Sequence, residues 1–303
     1  MNIVCVIFCF FISCLSASSF REKKEFFNER GYLILKNFFS KDQILQLQGW
    51  ADSVYEESLF LLNLSQRSNL PVDELAQKLP QSLIVVPERD NSTQVCRAED
   101  MLSCYPDLHS FISGTIGSYL TALFEERLVL FKDKLNFKWP GGGAFPPHQD
   151  FPAYDLFGPR LHITAMVAID PATIENGCLY VADNWKLSFQ DNPRIDQKEL
   201  NKGSAILPYI EGGPLHGSIQ KEFADKISWT PLELSPGDVV LISSYVPHYS
   251  ENNASTSSRR AMLFTLNFLK EGDHRSTYYY MKRNDFRNPA FHFATPTDAR
   301  TKE

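Results

Sequence analysis

Apolar residues along this chain recur first at helical spacing and later at strand spacing. After Ser40, a natural N-cap, Lys41-Asp42-Gln43 opens an amphipathic run that predicts a helix through Glu57, and Ser110 to Phe124 predicts another. Short runs rich in β-branched and aromatic residues then take over. They predict strands at Arg127 to Trp139, Leu161 to Ile169, Cys178 to Ala182, Leu232 to Leu234, Asp238 to Tyr245 and Arg260 to Leu269. The first of these has two unlike faces, with Phe131, Leu135, Phe137 and Trp139 alternating with Lys132, Lys134, Asn136 and Lys138. The apolar face is expected under the helices and the polar face inward.

Candidate chemistry enters after the first strand. Trp139-Pro140-Gly141-Gly142-Gly143-Ala144 punctuates a loop, and His148-Gln149-Asp150 follows it. A His-x-Asp triplet alone is weak, since composition produces one in roughly a third of chains of this length and histidine content. Two later residues strengthen it. His248 ends the strand Asp238 to Tyr245 after Val246-Pro247, and Arg259 stands at the head of the last strand. On an extended strand side chains repeat every second residue, so His148 and Asp150 are expected to point the same way, with His248 as the third ligand. Two imidazoles and a carboxylate on one face of an ion leave the opposite positions open, as in non-haem Fe(II) oxygenases. A planar guanidinium such as Arg259 suits a carboxylate anchor, and Ser250 can add a hydrogen bond. Without the histidines, Arg259 and Arg260 would read as a solvated basic pair. Helices first, short strands second and ligands at strand ends suit a mostly β fold with α elements, a double-stranded β-helix or jelly roll with the N-terminal helices packed on one outer sheet.

The residues resemble the phytanoyl-CoA dioxygenase family. The resemblance is carried by Phe145-Pro146-Pro147-His148-Gln149-Asp150, Glu175-Asn176-Gly177-Cys178-Leu179, Pro236-Gly237-Asp238, and His248-Tyr249-Ser250 through Asn253 to Arg259-Arg260-Ala261. These motifs spread over roughly residues 126 to 284, with a weaker match from Gly31-Tyr32. The resemblance implies an Fe(II)- and 2-oxoglutarate-dependent oxygenase. His148, Asp150 and His248 would bind iron, Arg259 with Ser250 would hold the distal carboxylate of 2-oxoglutarate, and Lys134 would lie near the same molecule. Asn136, on the same inward face as Lys134, together with Thr164 and Met166, becomes a candidate for the substrate pocket. With O2 as second co-substrate, the reaction releases succinate and CO2 and hydroxylates a substrate C–H. Where many members carry a Pro-Gly-Ser-His loop, this chain has Ala182-Asp183-Asn184-Trp185-Lys186, which leaves the substrate open.

Composition narrows the partners. A chain of 303 residues, 43% hydrophobic, can bury one large core, and no linker or repeat divides residues 19 to 303. A net charge of −6 disfavours nucleic acid and anionic membrane surfaces. A small-molecule substrate is expected. Residues 1 to 18 contain the apolar run Ile3 to Ile12 followed by Ser16-Ala17-Ser18, and read as a secretory signal peptide without the usual basic start. That predicts a secreted protein with no integral membrane domain after cleavage; a membrane anchor or a cytoplasmic protein is the alternative. Cys96, Cys104 and Cys178 remain beyond that segment, so one bridge at most, Cys96 to Cys104, is conceivable. Asn63-Leu64-Ser65, Asn91-Ser92-Thr93 and Asn253-Ala254-Ser255 fit the glycosylation pattern. His162 reads as a hydrogen-bonded structural histidine and His216 as a loop residue near the entrance, while His109, His274 and His292 have no partner motif.

Family members act on acyl-CoA thioesters, zwitterions and aminoalkylphosphonates, so fold alone does not choose among them. The stretch Lys132 to Asp150 and the tail Glu271 to Arg283 look most like the small-molecule branch, which favours a small polar or anionic substrate such as an aminoalkylphosphonate. The alternatives are an acyl-CoA hydroxylase, a non-catalytic jelly roll, and a zinc hydrolase using the same His/Asp/His set.

Overall fold

The computed structural model describes residues 20–88, 91–286 and 288–295. The expected leader, residues 1 to 18, lies outside them. Two antiparallel sheets face each other. The larger has the order β1-β9-β6-β11-β4-β3-β2 and the smaller β5-β10-β7-β8. In chain order the strands are β1 (Tyr32–Leu35), β2 (Ile84–Pro87), β3 (Val95–Glu99), β4 (Leu128–Lys138), β5 (Phe145–His148), β6 (His162–Ala168), β7 (Leu179–Ala182), β8 (Trp229–Leu232), β9 (Val239–Ser243), β10 (His248–Ser250) and β11 (Arg259–Phe268). This is the expected jelly roll. Among the described residues no helix is long and apolar enough to cross a membrane.

Helices cover the outer face of the larger sheet, as the apolar periodicity predicts. The first long one, Lys41–Ser68, starts where expected: the Ser40 side chain accepts from the Gln43 amide and Gln43 answers with the reciprocal bond. It runs eleven residues past Glu57, because Leu61, Leu62 and Ser65 keep the buried stripe going until Asn69 caps it in the left-handed region. Leu47, Ala51 and Val54 pack in one core with Leu135, Phe137, Val167, Leu241 and Phe264 of the sheet. The second helical stretch begins earlier than predicted, at Pro106, whose fixed φ suits a first helical position.

Between the sheets lies a smaller core of Tyr32, Met166, Val181, Leu234, Ile242 and Ala261. Pro236-Gly237-Asp238 fixes how β1 enters it. Asp238 accepts from the Asn37 and Ser235 amides and pairs with Lys36, and Gly237 at φ +88° allows Ile44 to sit where a Cβ would clash at 2.5 Å. β8 was expected two to three residues later, around Leu234. Its observed span includes Pro231, which an edge strand tolerates because one side of it has no ladder to complete.

The structure changes the expected place of Phe131 and answers two points that the sequence leaves open. The register between β4 and β11 shifts between Thr265 and Leu266, so Phe131 leaves the helix-facing row and packs with Tyr154, Phe157 and Tyr278. Cys96, Cys104 and Cys178 are all free. Asn253 is 1% exposed and donates to the carbonyls of Lys138 and Ser257, so its sequon is a buried tie rather than a glycan acceptor. The helix Arg275–Asn284, unassigned from sequence, closes one end of the barrel by burying Tyr278 and Tyr279, with the Tyr279 hydroxyl bonded to the backbone of Asp133. Tyr280 stays exposed.

Candidate metal centre

β5 and β10 are neighbours in the smaller sheet, and their register sets His148 directly opposite His248. The two imidazole centroids are 4.2 Å apart, and His148 Nε2 lies 3.8 Å from Asp150 Oδ1. One ligand atom from each of His148, Asp150 and His248 can be chosen so that all lie within 4.8 Å of one another; among the described residues no other His, Cys, Asp and Glu side chains cluster this way. His109, His162, His216, His274 and His292 stand apart from it.

The strand argument for His148 and Asp150 holds only in part. β5 ends at His148, and Asp150 is helical in backbone, at φ −73° and ψ −29°, where the chain turns into the short helix Phe151–Tyr154. Gln149 makes the turn reproducible. Its amide donates to the carbonyls of Ala205 and Tyr245, and its Oε1 accepts from the Leu207 amide, with the side chain 2% exposed. Sequence reading missed Gln149, because its partners lie 56 to 96 residues away. Gln149→Ala is expected to strand three buried backbone groups, destabilise the protein by about 2–4 kcal/mol and weaken metal binding about 10- to 100-fold. Denaturant unfolding and Mn(II) titration measure the two effects; unchanged metal affinity would show that Gln149 only supports the fold.

Both imidazoles are oriented from behind. His148 Nδ1 contacts the Pro146 carbonyl at 2.7 Å and His248 Nδ1 the Val246 carbonyl at 2.9 Å, each two residues earlier in its own segment. A carbonyl only accepts, so Nδ1 carries the hydrogen and Nε2 keeps its lone pair for a metal. Burial, with the neighbouring His248, pushes His148 down to about 3, so it stays neutral at any working pH. For Asp150 burial acts upward, but the two histidines together with Lys134 and Lys132 hold its carboxyl well below the usual range. Two imidazoles, each with Nε2 turned from its backbone tie, and one carboxylate form the donor set that divalent iron takes.

The cavity beside these groups runs between the sheets. Lys134, Asn136 and Lys138 of β4 line it, which puts the polar face of that strand inward, together with Met166, Ser250 and Arg259. Thr164 is buried beside it and uses its hydroxyl on Thr265 at 2.9 Å, so it does not line this cavity. Arg259 and Arg260 have opposite fates, as adjacent residues on a strand must. Arg260 faces outward and pairs with Asp170 and Asp52. Arg259 is 8% exposed, is matched by no carboxylate among the described residues, has a buried Nε without a partner, and is pushed down to about 10 by burial.

Strand alternation places Lys138 on the inward face but does not reveal its partners. Its ammonium donates to Ser250 Oγ at 2.8 Å and to the carbonyls of Glu251 and Gly177. Gly177 sits at φ +73°, and a Cβ there would meet Lys138 Nζ at 2.9 Å, which explains the glycine of Asn176-Gly177-Cys178. Because Ser250 Oγ accepts from Lys138, its own hydrogen is free to point into the cavity. The loop Ala182 to Lys186 does not reach this cavity: Asp183 pairs with Arg30 and Trp185 is buried in a separate core. His216 likewise packs on Phe293.

A jelly roll with a His/Asp/His cluster at one end of an internal cavity and an unmatched arginine lining it defines the class of Fe(II)- and 2-oxoglutarate-dependent oxygenases, which use O2 as the second co-substrate. The chain belongs to the phytanoyl-CoA dioxygenase family, whose model, described as phytanoyl-CoA dioxygenase (PhyH), matches residues 27–261. It is 34% identical over 270 residues to a 2-aminoethylphosphonate dioxygenase of the uncultured bacterium HF130_AEPn_1, covering 88% of each chain. It is 32% identical over 264 residues to a methylphosphonate hydroxylase of Gimesia maris, covering 86% of this chain and 85% of that one. In fold it is similar to EctD from S. alaskensis, solved with 2-oxoglutarate and 5-hydroxyectoine, at TM-score 0.60 and 16% identity over 82% of this chain and 76% of that one.

Proposed function

We propose that this dioxygenase hydroxylates a small organophosphonate at a carbon near phosphorus, converting substrate, 2-oxoglutarate and O2 into the hydroxylated product, succinate and CO2. The observation that carries the co-substrate assignment is Arg259, a buried guanidinium that pairs with no carboxylate of the described residues and lines the same cavity as His148 and His248. In this reading His148, Asp150 and His248 hold the iron. Arg259 and the Ser250 hydroxyl hold the distal carboxylate of 2-oxoglutarate, and Lys134 stands near the same molecule. Bound iron supplies the activation of O2 that no side chain can perform. The protein orients the C–H, keeps water out and balances charge. Support for the phosphonate comes from the two relatives named above and from the excess of cations on β4. The test is O2-dependent succinate formation by Fe(II)-loaded protein, with 2-aminoethylphosphonate or methylphosphonate raising the rate and yielding a hydroxylated phosphonate. Stimulation by an acyl-CoA instead would overturn the substrate assignment.

One pH effect follows. Burial, reinforced by Arg259, pushes Lys138 down to about 7. A lysine is charged below its pKa, so as pH rises through about 7 the 2-oxoglutarate end of the cavity loses a positive charge. The KM for 2-oxoglutarate is expected to rise across that window, and Lys138→Met to flatten the rise. A wild-type KM independent of pH between 6 and 8.5 or so would remove Lys138 from this role.

A further inference from the structure

Lys132 stands two residues before Lys134 on β4, beyond the part of the strand that lines the 2-oxoglutarate cavity. Its ammonium lies 4.4 Å above the ring of Tyr154, in the short helix that follows Asp150, and 5.6 Å from that of Tyr278. It makes no hydrogen bond or ion pair with the described residues. The nearby buried carboxylate, Glu99, is already taken by Arg97 at 2.7 Å and Lys282 at 2.6 Å. Two of the cations near Lys132, Arg97 and Lys282, thus already occupy Glu99, and Lys132 is left with no ion pair of its own among the described residues. Beside Lys132 sits His162. It is 0% exposed, neither of its ring nitrogens has a partner among the described residues, and its ring packs 4.9 Å from Tyr154 and 4.6 Å from Phe131. This corrects the expectation of a hydrogen-bonded structural histidine. A fully buried imidazole N–H without a partner, beside a half-buried ammonium that no carboxylate of the described residues pairs, is costly unless a ligand completes it.

We propose that Lys132, with the His162 N–H beside it, is the subsite for the dianionic phosphonate head of the substrate, and so decides which carbon is turned toward the metal. The proposal deepens the reading above and rests on it. Burial and Lys132 together push His162 down to about 3, so it remains a neutral donor. A dianion matches the surplus of positive charge, whereas a sulfonate of the same carbon skeleton, with one charge, leaves part of it unbalanced.

The test is calorimetric titration of the full chain, as its Mn(II) and 2-oxoglutarate complex without O2, with 2-aminoethylphosphonate and with its sulfonate analogue. Wild type is expected to prefer the phosphonate. In Lys132→Met the phosphonate Kd should rise about 10- to 100-fold while the sulfonate Kd moves much less, and Lys132→Arg should recover most of the loss. A Lys132→Met protein that keeps the wild-type preference between the two ligands would overturn the proposal. So would equal weakening of both ligands with a lowered Tm, since that is the mark of a structural lysine. Wild type that forms succinate yet binds no phosphonate would overturn the subsite and leave the oxygenase standing; wild type that forms no succinate would remove the oxygenase reading itself.

Discussion

Arg259→Ala is expected to lower kcat/KM for 2-oxoglutarate by about 10²- to 10³-fold while the protein stays folded. Pairing a buried guanidinium with a carboxylate is strong because the cation is already desolvated, and removing one partner of such a pair costs about 3–5 kcal/mol. Arg259 is in that state before any ligand arrives, since it is buried and no carboxylate of the described residues meets it. Removing an unmatched buried charge relieves the folded protein, so Tm should hold or rise slightly. Lysine is a poor substitute, because a single ammonium cannot make the forked contact. Steady-state kinetics of succinate formation with 2-oxoglutarate varied, beside a melting curve, measure both effects. A variant with wild-type KM for 2-oxoglutarate would rule out the distal-carboxylate role and revive a hydrolase that uses the same His/Asp/His set.

His148→Ala or His248→Ala is expected to abolish turnover, to below roughly a thousandth of wild type, and to remove the metal-dependent part of stability. The two imidazoles lie 4.2 Å apart and each is hydrogen-bonded to a backbone carbonyl, so without added metal either substitution is expected to leave stability nearly intact. With metal the difference appears. A ligand at 100 times its Kd stabilises a wild-type fold by about 2.7 kcal/mol, and that increment vanishes when a ligand is lost. Thermal melts with and without Mn(II) give the comparison. If the increment survived in both variants, the metal would be binding elsewhere and this centre would need another explanation.

Much of the architecture was legible in local pattern. The Ser40 and Gln43 capping box, the two faces of β4 and the hydrophobic run of β9 are written in adjacent residues, because helix and strand periodicities are local. β1, β2, β3, β5 and β10 were not legible: three to five residues carry too few positions to show alternation, and β7, β8 and β9, equally short, were read from apolar runs and turn residues rather than from alternation. The triad itself could be proposed from order and spacing. Strand periodicity through Asp150 does not explain it, because the chain turns there and Gln149 ties the turn to residues 56 to 96 positions away.

By itself the sequence determined the donor chemistry, the order of the ligands, the inward polar face of β4 and the family. Those depend on residue identity and on short-range periodicity. Only the tertiary structure decided which buried polar atoms find partners. Among the described residues, Arg260 meets Asp170 and Asp52, whereas no carboxylate pairs with Arg259; Glu99 satisfies Arg97 and Lys282, whereas Lys132 makes no ion pair and both ring nitrogens of His162 lack a partner. Whether a charge is satisfied depends on neighbours that arrive from distant parts of the chain, and no local pattern encodes that.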